Sequence, residues 1–194
     1  MKKLLLLAIL TCNCATAQNF SVATAAHSDF QITRDEGGQK SCGARSMIVY
    51  NDPLQKNSAR AIDFSLVIYS SFISAIKFGV LDANEINGQV TPLKRQDKIY
   101  LAFPTQNINL ISENAIDSES ENYTLATFKD TVSAMRILDA ISMGGTMQVQ
   151  IPRKADSMST TVQFVAPFSI PEQQALKECL SNLIERIKKE NNIK

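Results

Sequence analysis

The stretch FQITRDEGGQKSCGARSMIVY, Phe30 to Tyr50, decides the fold. FQITR alternates apolar and polar residues with the period of a half-buried strand. DEGGQ follows it, and Gly37-Gly38 can supply the positive φ of a tight hairpin turn. A return strand is expected from about Lys40 to Tyr50, carrying Cys42 near its start. This is an antiparallel pair, and the chain beyond it repeats the pattern.

IDFSLVIYSS places Phe64, Leu66 and Ile68 on one face and Ser65, Val67 and Tyr69 on the other, in residue types that suit a pleated surface. IKFGVLD comes at hairpin distance, NEING reads as the next turn, and KIYLAF is a strand closed by Pro104. NINLISEN and YTLATF are weaker strands, while TMQVQIPR and STTVQFVAP alternate clearly. Between them, Asp130 or Thr131 can cap a helix over VSAMRILDAISM. Val132, Met135, Leu138 and Ile141 then form a packing stripe, and Gly144-Gly145 is the stop.

A second helix is announced by SIPE, Ser169 to Glu172. The serine caps the first free amides and the glutamate reaches back, with Pro171 tolerated in the first turn. It is expected to run to about Glu190, with Leu176, Cys179, Leu180, Leu183, Ile184 and Ile187 on one face. The expectation is a mainly β, α+β domain over residues 30–194. It is an antiparallel sandwich or flattened barrel of about eight or nine strands, with a short helix and a long C-terminal helix packed on it. Residues 18–29 are small and polar, and read as a flexible lead-in.

The start of the chain carries an address. Lys2 and Lys3 precede the apolar run Leu4 to Leu10, and Ala15-Thr16-Ala17 has the small-x-small form of a cleavage site. A cleaved signal peptide over residues 1–17 is expected, since the run is far shorter than the ~20 residues of a spanning helix. The lysine-led leader and a body rich in Asn, Ile and Lys look bacterial, and the expected location is periplasmic or secreted. Lipidation at Cys12 is the alternative, but Thr11 precedes Cys12 and Asn13 precedes Cys14, where a small residue is wanted. Cleavage would remove Lys2 and Lys3 from 20 basic residues and leave 19 acidic ones, one net negative charge. That balance disfavours nucleic acid or an anionic membrane as the main partner.

Loss of the leader takes Cys12 and Cys14 with it and leaves Cys42 and Cys179. An even count in an exported chain points to a disulfide between them, which would close most of the domain into a loop. The rival reading is a reactive thiol at Cys42 in SCGAR. It would need a histidine, and the only one, His27, lies in the polar lead-in.

One histidine and two distant cysteines cannot build a zinc site. No GxSxG elbow and no phosphate-binding glycine pattern occurs. No catalytic, cofactor-binding or metal-binding residue is expected, and the chain reads as no enzyme. Asp117, Glu119 and Glu121 mark a solvated loop in IDSESEN. They lack the glycine and distal glutamate of an EF-hand, so the loop reads as a partner-binding candidate without a metal.

The order of elements resembles a family. The pair FQITRDEGGQKSCGARSMIVY, the glycine-ended helix in TVSAMRILDAISMGGTMQVQIP and the closing FVAPFSIPEQQALKECL are similar to the small secreted bacterial invasion-associated locus B proteins, over about Phe30 to Leu180. The resemblance implies a periplasmic or secreted β-sandwich with an envelope or host-interaction role, and carries over no site. The expected function is non-catalytic binding of another protein, by a monomer or weak homodimer. Two alternatives stand beside it: an immunity or inhibitor protein against a secreted toxin or lysozyme-type enzyme, and a carboxylate-dependent hydrolase of envelope polymers.

Overall fold

A computed structural model of the chain describes residues 18–36, 38–53, 59–82, 91–92, 97–113, 115–120, 123–152 and 159–190. The leader with Cys12 and Cys14, the turn residue Gly37, the NEING turn and Glu121 lie outside the described residues. In chain order the strands are β1 (Gln18–Asp35), β2 (Gly38–Asn51), β3 (Ala59–Tyr69), β4 (Ser74–Asp82), β5 (Thr91–Pro92) and β6 (Tyr100–Phe103). They continue with β7 (Ile108–Ile111), β8 (Ile116–Asp117), β9 (Thr124–Phe128), β10 (Met147–Pro152) and β11 (Ser159–Phe164). The helices are α1 (Thr131–Ser142) and α2 (Ile170–Glu190).

The mainly β, α+β expectation holds, with more strands than expected. Among the described residues eleven strands form one open sheet in the order β7-β6-β10-β11-β1-β2-β3-β4-β9-β8, with β5 paired to β4. β1 joins its two halves. Gln18 to Val22 pair in parallel with β11, and Ala23 to Asp35 pair antiparallel with β2. A register shift between Ala23 and Ala25 marks the change of partner. The lead-in expected to be flexible is therefore the first part of an 18-residue strand. Its small side chains bring little burial of their own, and it is ordered by backbone pairing, first with β11 and then with β2. The parallel β1–β11 pair also departs from the all-antiparallel expectation.

The halves fold over one another. Phe64 of β3 and Phe164 of β11 meet edge to face with centroids 6.2 Å apart. Inward alternation is strict along β3, where Ile62, Phe64, Leu66 and Ile68 are all at most 1% exposed. Gly43 of β2 permits the close approach of β3. A Cβ there would lie 2.5 Å from the Leu66 carbonyl oxygen and 2.9 Å from Val67 Cγ2.

Both helices cover the inner face. Asp130 caps α1, its carboxylate accepting the Ser133 amide at 2.9 Å and hydroxyl at 2.6 Å. The buried stripe of α1 is Ala134, Ile137, Leu138 and Ile141. Val132, expected in that stripe, is 50% exposed, because the true face turns one position away from it. Gly144 ends the helix region at φ 76°. At the start of α2 the glutamate half of the expected capping box forms, Glu172 accepting the Ser169 amide at 3.0 Å, while the Ser169 hydroxyl donates to the same carboxylate at 2.6 Å. Its other oxygen accepts the Phe30 amide of β1 at 3.4 Å. Leu176, Cys179 and Leu183 are buried, and Cys179 is bonded to Cys42 with Cα atoms 5.9 Å apart. Arg186 locks the far end of α2, donating to Asp35 Oδ1 at 2.8 Å and to the Gln39 carbonyl at 3.1 Å.

Candidate functional site

Both helices sit inside, so no described helix covers the outer face of the sheet, and its polar chemistry gathers on β2, β3 and β4. Alternation dictates which residues appear there. With Phe64, Leu66 and Ile68 inward, Asp63 and Ser65 point outward, and register sets Asp63 beside Met47 and Gly79, and Ser65 beside Arg45 and Lys77.

Asp63 is nonetheless buried, at 3% exposure. The Arg45 guanidinium covers it, donating from Nε to Oδ1 at 2.9 Å and from Nη2 to Oδ2 at 2.7 Å. This side-on bidentate geometry is the strong form of an ion pair. The Tyr123 hydroxyl completes the cluster by donating to Asp63 Oδ2 at 2.8 Å. Both carboxylate oxygens are thereby engaged. Burial, followed by the hydrogen bond to Asp63, pushes the Tyr123 phenol up to about 12. The bonds to Asp63 raise the Arg45 guanidinium further above its already high value.

Tyr123 reaches this position because Gly79 lacks a side chain. A Cβ on Gly79 would stand 3.1 Å from the ring carbons Cδ1 and Cε1. Lys77 lies over the same ring, with Nζ 5.3 Å from its centroid, and donates to the Ser120 hydroxyl at 2.7 Å. Ser120, which closes the described stretch 116–120, and Tyr123 are thus tied to the outer face. A turn holds them internally: Ser118 Oγ accepts the Ser120 amide at 3.0 Å, and the Tyr123 amide donates to the Ser120 carbonyl at 3.1 Å.

The expected partner loop therefore belongs to this cluster. Asp117 ends the short strand β8, pairing with Thr124, and is exposed. Glu119 is exposed between Ser118 of the internal turn and the anchoring Ser120. Next to the cluster, His27, Asp29, Arg45, Met47 and Val49 line a shallow depression of about 250 Å³ on β1 and β2. His27 Nε2 stands 2.8 Å from Asp29 Oδ1, and its side chain is 75% exposed.

Cys42 and Cys179 are at the opposite, inner face, 0% and 2% exposed and joined to each other. The disulfide is present as expected, and the reactive-thiol reading of SCGAR fails on it. The second buried acid in a paired setting is Asp52, 3.0 Å from Arg60 Nη1. Among the described residues no group of three or more His, Cys, Asp or Glu could hold a metal ion. No described helix is long and apolar enough to cross a membrane.

Sequence reasoning missed Asp63, Arg45 and Tyr123. The available signal was an acid inside the apolar run IDFSLVIY, where an unpaired charge would be costly. No protein family, no curated protein and no solved structure matches the chain.

Proposed function

We propose that the chain is an exported bacterial protein, periplasmic or secreted, that acts by binding another protein and not by catalysis. Its contact surface is the outer face of β1 to β4 with residues 116–120 and Tyr123 laid on it. One observation carries this reading: the polar groups of the cluster are spent on anchoring that segment. Asp63 is saturated by Arg45 and Tyr123, and the Tyr123 phenol stays protonated at any physiological pH, so neither serves as a general base. What the anchor leaves to solvent is a held segment with Asp117 and Glu119 exposed. The disulfide fits an oxidising compartment. Kinship with the invasion-associated locus B proteins belongs to the same proposal and supplies its envelope or host-interaction role.

The inhibitor reading draws on the same anchor, since acidic side chains on a held segment suit a cationic cleft. The hydrolase reading has less to work with. Both buried, arginine-paired acids, Asp63 and Asp52, would have to shed their partners before moving a proton.

A photo-crosslinking residue placed at Glu119, in the native bacterial envelope, tests the binding reading. A discrete adduct is expected, and it disappears when Tyr123→Ala releases the segment. A folded protein that gives no adduct from position 119 or from Met47 overturns the reading. An adduct to a wall-degrading enzyme or toxin selects the inhibitor form.

A further inference from the structure

The two halves of the sheet present unlike outer faces. Around β1 to β4 the outward positions include Asp29, Arg45, Asp63 and Lys77. The other half begins at the parallel end of β1 and runs through β11, β10 and β6 to the edge strand β7. There the register sets out two outward rows. One reads Phe20, Thr161, Gln150, Tyr100, Ile111, and the next reads Val22, Gln163, Gln148, Ala102, Asn109. Their in-between neighbours Leu101, Val149 and Val162 are buried in the core, which fixes the rows as outward. Neither row holds a charged side chain, in a chain that is 20% charged.

The relief of this face is a trough. Phe20 and Val22 stand at one margin, 53% and 59% exposed, and Ile111 at the other, 54% exposed. Thr161 lies low between them at 4%. Toward the β7 side a hollow of about 310 Å³ is lined by Tyr100, Asn109, Ile111, Gln148, Gln150 and Thr161.

Charge narrows the occupant. Nucleic acid and anionic lipid are held by lysines and arginines, and the rows offer none. An acidic or basic peptide would likewise find no counter-charge within the rows; Lys98 and Glu113 flank Asn109 and Ile111 only at the β7 end. The rows do offer side-chain amides on two adjacent strands, at Gln163 of β11 and Gln148 of β10, and a third at Asn109 of β7, with Ala102 of β6 between. Each such amide both donates and accepts. A ligand whose every position also donates and accepts, without charge, matches them. The aromatic surfaces of Phe20 and Tyr100 suit a ligand that is apolar on one face and polar at its rim. A sugar ring has that character, and a chain of them laid across the strands would meet the Gln163 and Gln148 amides at the strand separation of about 4.8 Å, and Asn109 two strands beyond Gln148.

We infer that this trough binds an uncharged glycan chain laid across the strands from β1 to β7. The surface is separate from the anchored acidic segment, so the two can fail independently.

The test titrates the full chain with neutral oligosaccharides (chito-, cello-, xylo- and gluco-oligomers) and with a sulfated glycan as the charged control, followed by calorimetry and by NMR of the side-chain amides. Binding of at least one neutral oligomer is expected, with shifts at Gln148 and Gln150 and an affinity that rises with oligomer length. Phe20→Ala and Gln148→Ala, both at the surface, should each weaken it about tenfold, the loss of one stacking or hydrogen-bonding contact. Arg45→Ala should leave it unchanged. Failure of every neutral oligomer to bind at millimolar concentration overturns the inference. So does binding only to the sulfated glycan, or binding that survives both substitutions in variants that melt like the parent. A dimer that disperses on Phe20→Ala assigns the trough to a second copy of the chain and equally overturns it.

Discussion

At the scale of single residues, Asp63 shows how a buried charge becomes an organising point. Left alone under the outer face it would be costly; with Arg45 and Tyr123 it is fully paired and holds a segment far away in sequence. The Tyr123 phenol measures the quality of that arrangement. Its folded value is raised above 10.0 to about 12, chiefly by burial and then by the bond to Asp63. A raised value means the protonated phenol stabilises the fold: that contribution is complete below pH 10 and is lost as pH climbs through 12. Ultraviolet titration of tyrosinate should therefore show a late component near pH 12, and Tyr123→Phe should remove it. The same substitution should cost about 1 kcal/mol at neutral pH, the net worth of the hydrogen bond, in urea unfolding. A titration curve identical in parent and variant would show Tyr123 to be solvated and the segment unanchored. None of this triad was legible in the sequence as a unit, because Arg45 and Tyr123 lie 18 and 60 residues from Asp63. Only register brings them together, and register is a property of paired strands.

At the scale of elements, what could be read depended on how local the determining physics is. The reach-back of Glu172 to the Ser169 amide closes within four residues and formed as the sequence indicates, with the serine hydroxyl turned to donate to the same carboxylate. Alternation in β3 and the disposition of Phe64, Leu66 and Ile68 are equally local. β1 was missed where its order comes from elsewhere: residues 18–22 are held by β11, whose sequence lies more than a hundred positions on. Its small side chains offer too little alternation to announce a strand. The α1 stripe was misplaced at Val132 because the i, i+3 series drifts around the helix, while Ala134 and Ile137 set the real face. The cap of α1 permits a sharp test. Asp130 is held below its ordinary carboxylate range, first by the Ser133 hydroxyl and then by the Ser133 amide. A depressed value means the stabilisation stands above pH 3.8 and is lost as pH falls through the folded value below it. Asp130→Ala should cost about 1 kcal/mol at neutral pH. The gap between parent and variant should close on acidification below pH 3.8, as read from urea midpoints at several pH values. A gap independent of pH would mean that the carboxylate does not supply the cap.

At the scale of the whole molecule, one covalent link spans what the sheet topology leaves open. The sheet is open: its strand order ends at β7 and β8, and just past β7 the Glu113 amide donates to the Thr127 carbonyl of β9 at 2.8 Å. The C-terminal helix is held to the β1–β2 hairpin by apolar contacts, by Glu172 at its start, by Arg186 near its end, and by Cys179 bonded to Cys42 across 137 positions. Closing a loop of that length removes unfolded-state entropy worth about 5 kcal/mol in the chain-entropy model, a figure that native strain can only reduce. A stability of order 5–15 kcal/mol makes this a large share. The double substitution Cys42→Ala and Cys179→Ala should therefore lower the unfolding free energy by about 4 kcal/mol, with part of the loss reflecting the two removed buried sulfurs. Reducing agent should reproduce most of that loss in the parent and change nothing in the variant. Because α2 covers only the β1–β2 side of the inner face, loosening it should appear first as hydrogen exchange at α2 amides and at the start of β2, while the α1 amides over β3, β6 and β7 stay protected. Simultaneous exposure of both helices would show that the molecule opens as one unit, with the disulfide supporting the entire core and not a single docked element.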